Sequence, residues 1–213
     1  MLSSNDFNSS LAFALDQFKK HDLVKADSID LMNRVDSKFL FRLSELPKIL
    51  EECVSSYSAL QMLKTCVFAY KNTYFDFPDY HLYLSHHNKK LNRNKVRFRT
   101  YPKTETKFLE VKTKTNKGRT VKARIKIPIE NKVIGEENSI FIAEQGITNP
   151  KTLVPMQMCN YKRISLMDYG ASERLTFDFH LHYNCRYENS NKRFDKEANF
   201  CLLYTSPSPR DSR

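Results

Sequence analysis

Apolar positions recur with two different periods along this chain. Early on the period is helical: Phe7, Leu11, Leu15 and Phe18 share one stripe, which predicts an amphipathic helix. Lys19 and Lys20 fall at its C-terminal end, where cations suit the helix dipole. A strand is predicted over residues 34–41. A short helix follows from Ser44 to about Cys53, with Ser44 as N-cap and Pro47 tolerated in the first turn. From residue 66 the period falls to two, predicting strands over residues 66–75, 95–101, 107–114, 120–127, 161–167 and 173–180. Asn116-Lys117-Gly118 is turn chemistry suited to a hairpin between the third and fourth of these. A helical stretch near residues 137–145 is closed by Gly146. Many strands with few helices give an α+β class, an antiparallel sheet or barrel with flanking helices.

What alternates on these strands is charge. Successive side chains of a strand point to opposite faces. Lys95, Arg97 and Arg99 therefore oppose Val96 and Phe98, and Glu110, Lys112 and Lys114 share a face. Lys122, Arg124 and Lys126 oppose Val121, Ala123 and Ile125. Tyr161 and Arg163 continue the pattern, as do Arg174, Thr176 and Asp178. One such strand is ordinary for a solvated face. Four neighbouring ones are not, because like charges set across a ladder repel. A sheet of about eight strands closed into a barrel encloses side chains or a single ligand, and a cationic interior suits a chain of phosphates. Arg offers planar forks to phosphate oxygens and Lys a point charge. Glu110 could hold a divalent metal or pair with a neighbouring Lys, pairing being the commoner fate.

Composition agrees. Lys and Arg number 35 against 24 Asp and Glu, a net charge of +11, which calls for an anionic partner: nucleic acid, lipid, or a phosphate-rich molecule. Five scattered cysteines without a CxxC read as reduced thiols, consistent with a cytoplasmic chain. There is no signal-peptide pattern and no apolar run of membrane-spanning length. P-loop, dinucleotide-fold and HExxH motifs are missing too, so those enzyme classes fall away. His81, His86 and His87 beside Asp79, and the pair His180 and His182, lack the spacing of a zinc site and read as surface or rim histidines.

Several segments together resemble one family. Arg34-Val35-Asp36-Ser37-Lys38-Phe39 resembles the R-x-x-x-K-[YF] opening of the VTC domain, and Tyr74-Phe75-Asp76-Phe77-Pro78-Asp79-Tyr80-His81-Leu82-Tyr83 its YFDT-P-D-x-x-x-Y segment. Lys95-Val96-Arg97-Phe98-Arg99-Thr100-Tyr101 is similar to its K-x-R-x-R-x-Y strand. Phe108-Leu109-Glu110-Val111-Lys112 followed by Lys122-Ala123-Arg124 is similar to its FLE-x-K and K-x-R strands. Tyr161-Lys162-Arg163 and Arg174-Leu175-Thr176-Phe177-Asp178 resemble the late Y-x-R and R-x-T-x-D strands, all in order over residues 34–180. The resemblance implies a triphosphate tunnel metalloenzyme fold. It implies a polyphosphate polymerase, a phosphotransferase that moves the γ-phosphate of ATP onto inorganic polyphosphate with Mn²⁺ or Mg²⁺. Lys38, Arg97, Arg99, Lys112, Lys122, Arg124, Arg163 and Arg174 would line the tunnel. Arg97, Arg99, Lys112, Arg163 and Arg174 would hold the phosphates of ATP and polyphosphate. The alternatives are a triphosphate hydrolase of the same fold, or a non-catalytic sheet binding polyphosphate or nucleic acid. Nucleic acid is not the expected partner, because Phe98 alternates away from Arg97 and Arg99.

The family closes with a strand carrying a metal-binding Glu in an E-x-K pattern, then a helix with a further basic residue. No such pattern follows Asn199-Phe200-Cys201. The expectation is a domain over residues 1–201 that lacks its last strand, its C-terminal helix and its metal ligand, with impaired polymerisation. Residues 202–213, with their Ser-Pro-Ser-Pro run, read as a non-native read-through tail.

Overall fold

The computed structural model describes residues 4–24, 37–117, 119–170, 173–186 and 193–206. In chain order its main elements are α1 (Ser4–Asp16), β1 (Lys19–His21), β2 (Ser37–Arg42), α2 (Leu46–Cys53), β3 (Tyr57–Leu60) and β4 (Phe68–Asp76). There follow α3 (His81–His87), β5 (Arg93–Tyr101), β6 (Thr106–Lys114), β7 (Thr120–Ile127) and α4 (Glu136–Glu144). The last four are β8 (Val154–Asp168), β9 (Arg174–Arg186), β10 (Arg193–Ala198) and β11 (Phe200–Ser206). The chain forms two compact units. The first holds Met1–Phe68, Tyr161–Leu181 and Ala198–Arg213; the second holds Ala69–Asn160 and His182–Glu197.

In the first unit the strand order is β2-β11-β9-β8-β3-β1. The stripe predicted on α1 is its contact with this sheet. Phe7, Leu11, Leu15 and Phe18 bury against Leu46 and Leu50 of α2 and against Ile164, Leu166, Leu175 and Phe177. The helix ends at Asp16, so Lys19 and Lys20 do not extend it but open β1, parallel to β3 from Lys19↔Ser58. The Lys20 ammonium still donates to the carbonyls of Leu15 and Asp16, so the cation serves the helix end from outside it. Ser44 does not cap α2. It lies in a tight turn over Leu43–Glu45, where the Glu45 carboxylate accepts from the Arg42 backbone N–H at 2.9 Å, and the helix starts after it.

In the second unit β4, β5, β6 and β7 follow one another antiparallel, with β8 beside β4 and β10 beside β9. The predicted β6–β7 hairpin is present, closed by Thr115 donating to the Arg119 carbonyl at 2.8 Å, although Gly118 lies outside the described residues. Arg34, Val35 and Asp36 of the predicted first strand, and residues 207–213, lie outside them as well.

One expectation is made more exact and one is corrected. The antiparallel sheet with flanking helices is present, but among the described residues no pairing joins β7 to β2, so barrel describes it only loosely. β7 carries Lys122, Arg124 and Lys126 along a free edge, a composition that blunts further strand pairing. The chain also stays in the sheet beyond residue 201: β11 pairs with β2 from Phe200↔Arg42 to Thr205↔Ser37 and with β9 from Leu202↔Asp178 to Ser206↔Arg174. Cys201 is fully buried in the first core and Leu203 packs against it, which holds residues 202–206 in place. Among the described residues, no helix is long and apolar enough to cross a membrane.

Candidate functional site

The register of the second unit turns the alternation of single strands into a two-sided surface. Phe75↔Val96↔Val111↔Ala123 and Thr73↔Phe98↔Leu109↔Ile125 form rows on one side. There Phe98, Val96, Leu109 and Val111 bury against Leu82 of α3 and Ile142 of α4. Burying a side chain the size of Phe98 contributes roughly 1.5–3 kcal/mol. This packing commits the odd positions of β5 and the even positions of β6 and β7 to the other side. That side carries the rows Lys95↔Lys112↔Lys122, Tyr74↔Arg97↔Glu110↔Arg124 and Asn72↔Arg99↔Phe108↔Lys126.

Glu110 is the carboxylate of these rows and is completely buried. Its Oε2 accepts from Arg97 Nε at 2.8 Å and Nη2 at 2.6 Å, and lies 4.0 Å from Arg99 Nε. Its Oε1 lies 3.0 Å from the Lys122 ammonium. Burial alone would raise the Glu110 pKa, but the charges of Arg97 and Arg99 outweigh it and hold the carboxyl at about 2. Arg97 gives a further N–H to the Tyr74 hydroxyl, Nη1 to oxygen 3.0 Å. Three of its five N–H groups are thus engaged, which leaves one on Nη1 and one on Nη2. Arg99 Nε donates to Asn72 Oδ1 at 3.0 Å, and Asn72 is itself fixed by donating to the Cys159 carbonyl at 2.8 Å. Arg99 also lies over the Tyr70 ring and Arg124 over the Phe108 ring, 5.3 and 5.1 Å from the centroids.

Lys112 is placed between Lys95 and Lys122 in register. Partial burial, then the charges of Arg97, Arg99 and Lys122, push its ammonium pKa down to about 8, with Glu110 opposing. The face has more positive charge than its own carboxylate offsets. Of the predicted site residues, Arg97, Arg99, Lys112, Lys122 and Arg124 come together here.

The remaining three belong to the first unit. Arg163 makes a two-pronged pair with Asp178, Nε to Oδ1 2.5 Å and Nη2 to Oδ2 2.6 Å, and lies over the rings of Tyr161 and Tyr204. Lys38 is exposed on β2 and lies over the Tyr204 ring from the paired position Tyr204↔Lys38. Arg174 opens β9 opposite Ser206.

Motif residues do not all serve a site. Asp76 of the Tyr-Phe-Asp segment is buried and accepts from the backbone N–H groups of Phe77, Leu82 and Tyr83 at 2.7–2.8 Å, which fixes the start of α3. The histidines of α3 face different neighbours. His81 packs on Phe77, His87 stacks on Tyr83, and His86 Nε2 lies 3.2 Å from the Asn94 carbonyl. Among the described residues no three His, Cys, Asp or Glu converge where a metal ion could sit. With Glu110 already engaged by Arg97 and Lys122, these residues do not fit a resident Mn²⁺ or Mg²⁺. Sequence reading missed Asn72 and the role of Tyr74. Their shared face with Tyr70 at two-residue spacing was the available signal.

Solved structures share this architecture. The chain is similar to a candidate adenylate cyclase from Bacillus halodurans, with a TM-score of 0.52 and 11% identity over 84% of this chain and 82% of that one. Lesser likenesses are a candidate adenylate cyclase from Vibrio parahaemolyticus (TM-score 0.48, 10% identity, 84% and 79% covered) and a candidate adenylyl cyclase from Hippeastrum described as having a dominant triphosphatase activity (0.48, 13%, 82% and 79%). The first of these defines the class, an antiparallel α+β fold of the tunnel type. The VTC domain model matches residues 33–205, most of the chain, and the protein belongs to the VTC domain family. No curated protein matches its sequence.

Proposed function

We propose that this chain is a polyphosphate polymerase domain that binds ATP and inorganic polyphosphate through the cationic face of β5, β6 and β7. The observation that carries the reading is the set of three rows on that face: Lys95, Lys112 and Lys122 stand directly opposite one another, Arg97 and Arg124 flank the buried Glu110, and Arg99 and Lys126 flank Phe108. Like charges set across a ladder destabilise a sheet, and a bound polyanion offsets that cost. Membership of the VTC domain family supports the same substrate class.

In the transfer, an oxygen of the terminal polyphosphate phosphate attacks the γ-phosphorus of ATP. A new P–O–P bond forms as the bond from γ-phosphorus to the β–γ bridging oxygen breaks, and ADP leaves with the electron pair. Such a reaction is accelerated mainly by positioning and by charge stabilisation of the phosphoryl oxygens. Arg97 is suited to this: Glu110 and Tyr74 fix its plane, and its remaining Nη1 and Nη2 hydrogens form a fork for one phosphate. Arg99 is steadied in turn by Asn72 and Tyr70. Lys112, Lys122 and Arg124 add charge where phosphoryl oxygens would lie. Lys38, Arg163 and Arg174 are assigned to phosphate contact on the family resemblance alone.

The test supplies ATP labelled at the γ-phosphate with a short polyphosphate primer and resolves products by chain length. Label in lengthened polyphosphate is expected. Label released only as inorganic phosphate would replace the polymerase reading with a hydrolase.

A further inference from the structure

Beyond the residues assigned above, the cationic face continues past its lysine row. The pair Arg93↔Lys114 stands directly opposite in register, on the same side as Lys95↔Lys112 and Arg97↔Glu110. Arg93 keeps one hydrogen bond, from Nη1 to the Lys90 carbonyl at 2.8 Å, while its Nε is buried with no acceptor. Lys114 is exposed at the end of β6 and has no acidic partner among the described residues. Two successive rows therefore set like charges opposite one another, and the carboxylate that reaches them is Glu110 of the next row, 3.0 Å from Lys122; such rows weaken strand pairing unless an anion covers them.

From Arg99 to Arg93 is six residues of β5, roughly 20 Å at about 3.4 Å per residue. That is more than twice the length of a triphosphate. We infer that this face takes a long inorganic polyphosphate lying along the strands, and that the Arg93–Lys114 row anchors phosphates remote from the reacting end. The inference rests on the polyphosphate reading above and adds a chain-length preference to it. Single-stranded RNA is the competing polyanion. It gains much of its affinity from base stacking on open aromatic rings, and neither the Lys95–Lys112–Lys122 row nor the Arg93–Lys114 row contains an aromatic side chain. The rings further along, Tyr70 and Phe108, are covered by Arg99 and Arg124.

Calorimetric titration of the whole chain with tripolyphosphate, with a polyphosphate of defined length that covers all four rows, and with RNA of equal charge tests this. The longer polyphosphate is expected to bind roughly tenfold tighter than tripolyphosphate, as additional phosphate contacts add to electrostatic affinity. Arg93→Glu with Lys114→Glu removes that gain and leaves tripolyphosphate affinity within about twofold. Lys114→Glu alone, at an exposed site, removes part of it and guards against misfolding of the double variant. Equal affinity for both lengths, or a length gain that survives both variants, overturns the inference and leaves the site reading intact. RNA binding as tightly as the long polyphosphate also overturns it. If tripolyphosphate fails to bind at all, the site reading falls and the inference falls with it.

Discussion

Two arginine–carboxylate pairs lie in different electrostatic settings in this protein. In the first unit Arg163 and Asp178 meet through two short bonds, a cation and an anion matched at close range. In the second, Glu110 faces Arg97, Arg99 and Lys122 at once, and among the described residues Lys112 stands close by with no ion pair of its own. The first pair is largely balanced within the fold. The second leaves positive charge unbalanced on a face held rigid by packing behind it. Surplus charge of one sign on ordered strands marks a surface shaped for a ligand, whereas a balanced pair accounts for itself as structure.

The strongest way to break this contrast is to remove the unbalanced guanidinium groups. Arg97→Ala with Arg99→Ala is expected to weaken tripolyphosphate binding at least about a hundredfold, since each charge-assisted hydrogen bond contributes roughly 1.5–3 kcal/mol. Calorimetric titration measures it, and Arg97→Lys, which keeps the charge and loses the fork, should recover only part of the loss. Next in size is a stability effect in the other unit. Asp178→Ala leaves Arg163 partly buried without its partner and is expected to cost about 2 kcal/mol, below the full penalty of a buried pair because Arg163 reaches solvent. Denaturant unfolding reads it. Glu110→Gln, by contrast, should tighten tripolyphosphate binding a few-fold, because it deletes the negative charge that stands among the cations of these rows.

Acidity sharpens the same contrast. Lys112 is flanked by Lys95 on β5 and Lys122 on β7, with Arg97, Arg99 and Glu110 also near, and its pKa in the free protein is pushed down to about 8. Anions favour its charged form. The Lys112 share of affinity is therefore fully present below pH 8 and is lost as pH rises through and above it. Up to about tenfold per pH unit is the limit for one linked proton. Lys112→Arg should flatten that part of the profile. The smallest effect is Tyr74→Phe, which removes one bond to Arg97 and should cost about 1 kcal/mol of binding, roughly fivefold.

The alternation of charge and apolar side chains on β5, β6 and β7 was legible because it is local: a period of two needs no partner to be seen. Which cations share a face of each strand followed from it, whereas the order of strands did not, apart from the β6–β7 hairpin. Glu110 was harder, since its partners come from neighbouring strands and only register brings Arg97 and Arg124 to either side of it. α3 was missed for a related reason. His81–His87 has no apolar stripe, and what starts the helix is Asp76, six residues before Leu82. β11 was not foreseen: the domain was ended at residue 201 because Ser and Pro just beyond it read as tail, while Leu202 to Ser206 owe their place to pairing with β2 and β9.

One experiment addresses the central physical claim, that cations from three adjoining strands act together on a chain of phosphates. A fluorescent polyanion bound to the protein is challenged with tripolyphosphate and with single-stranded RNA matched in charge. Displacement at far lower tripolyphosphate concentration is the expected result. Equal displacement by both would show only general attraction to negative charge and would contradict the account.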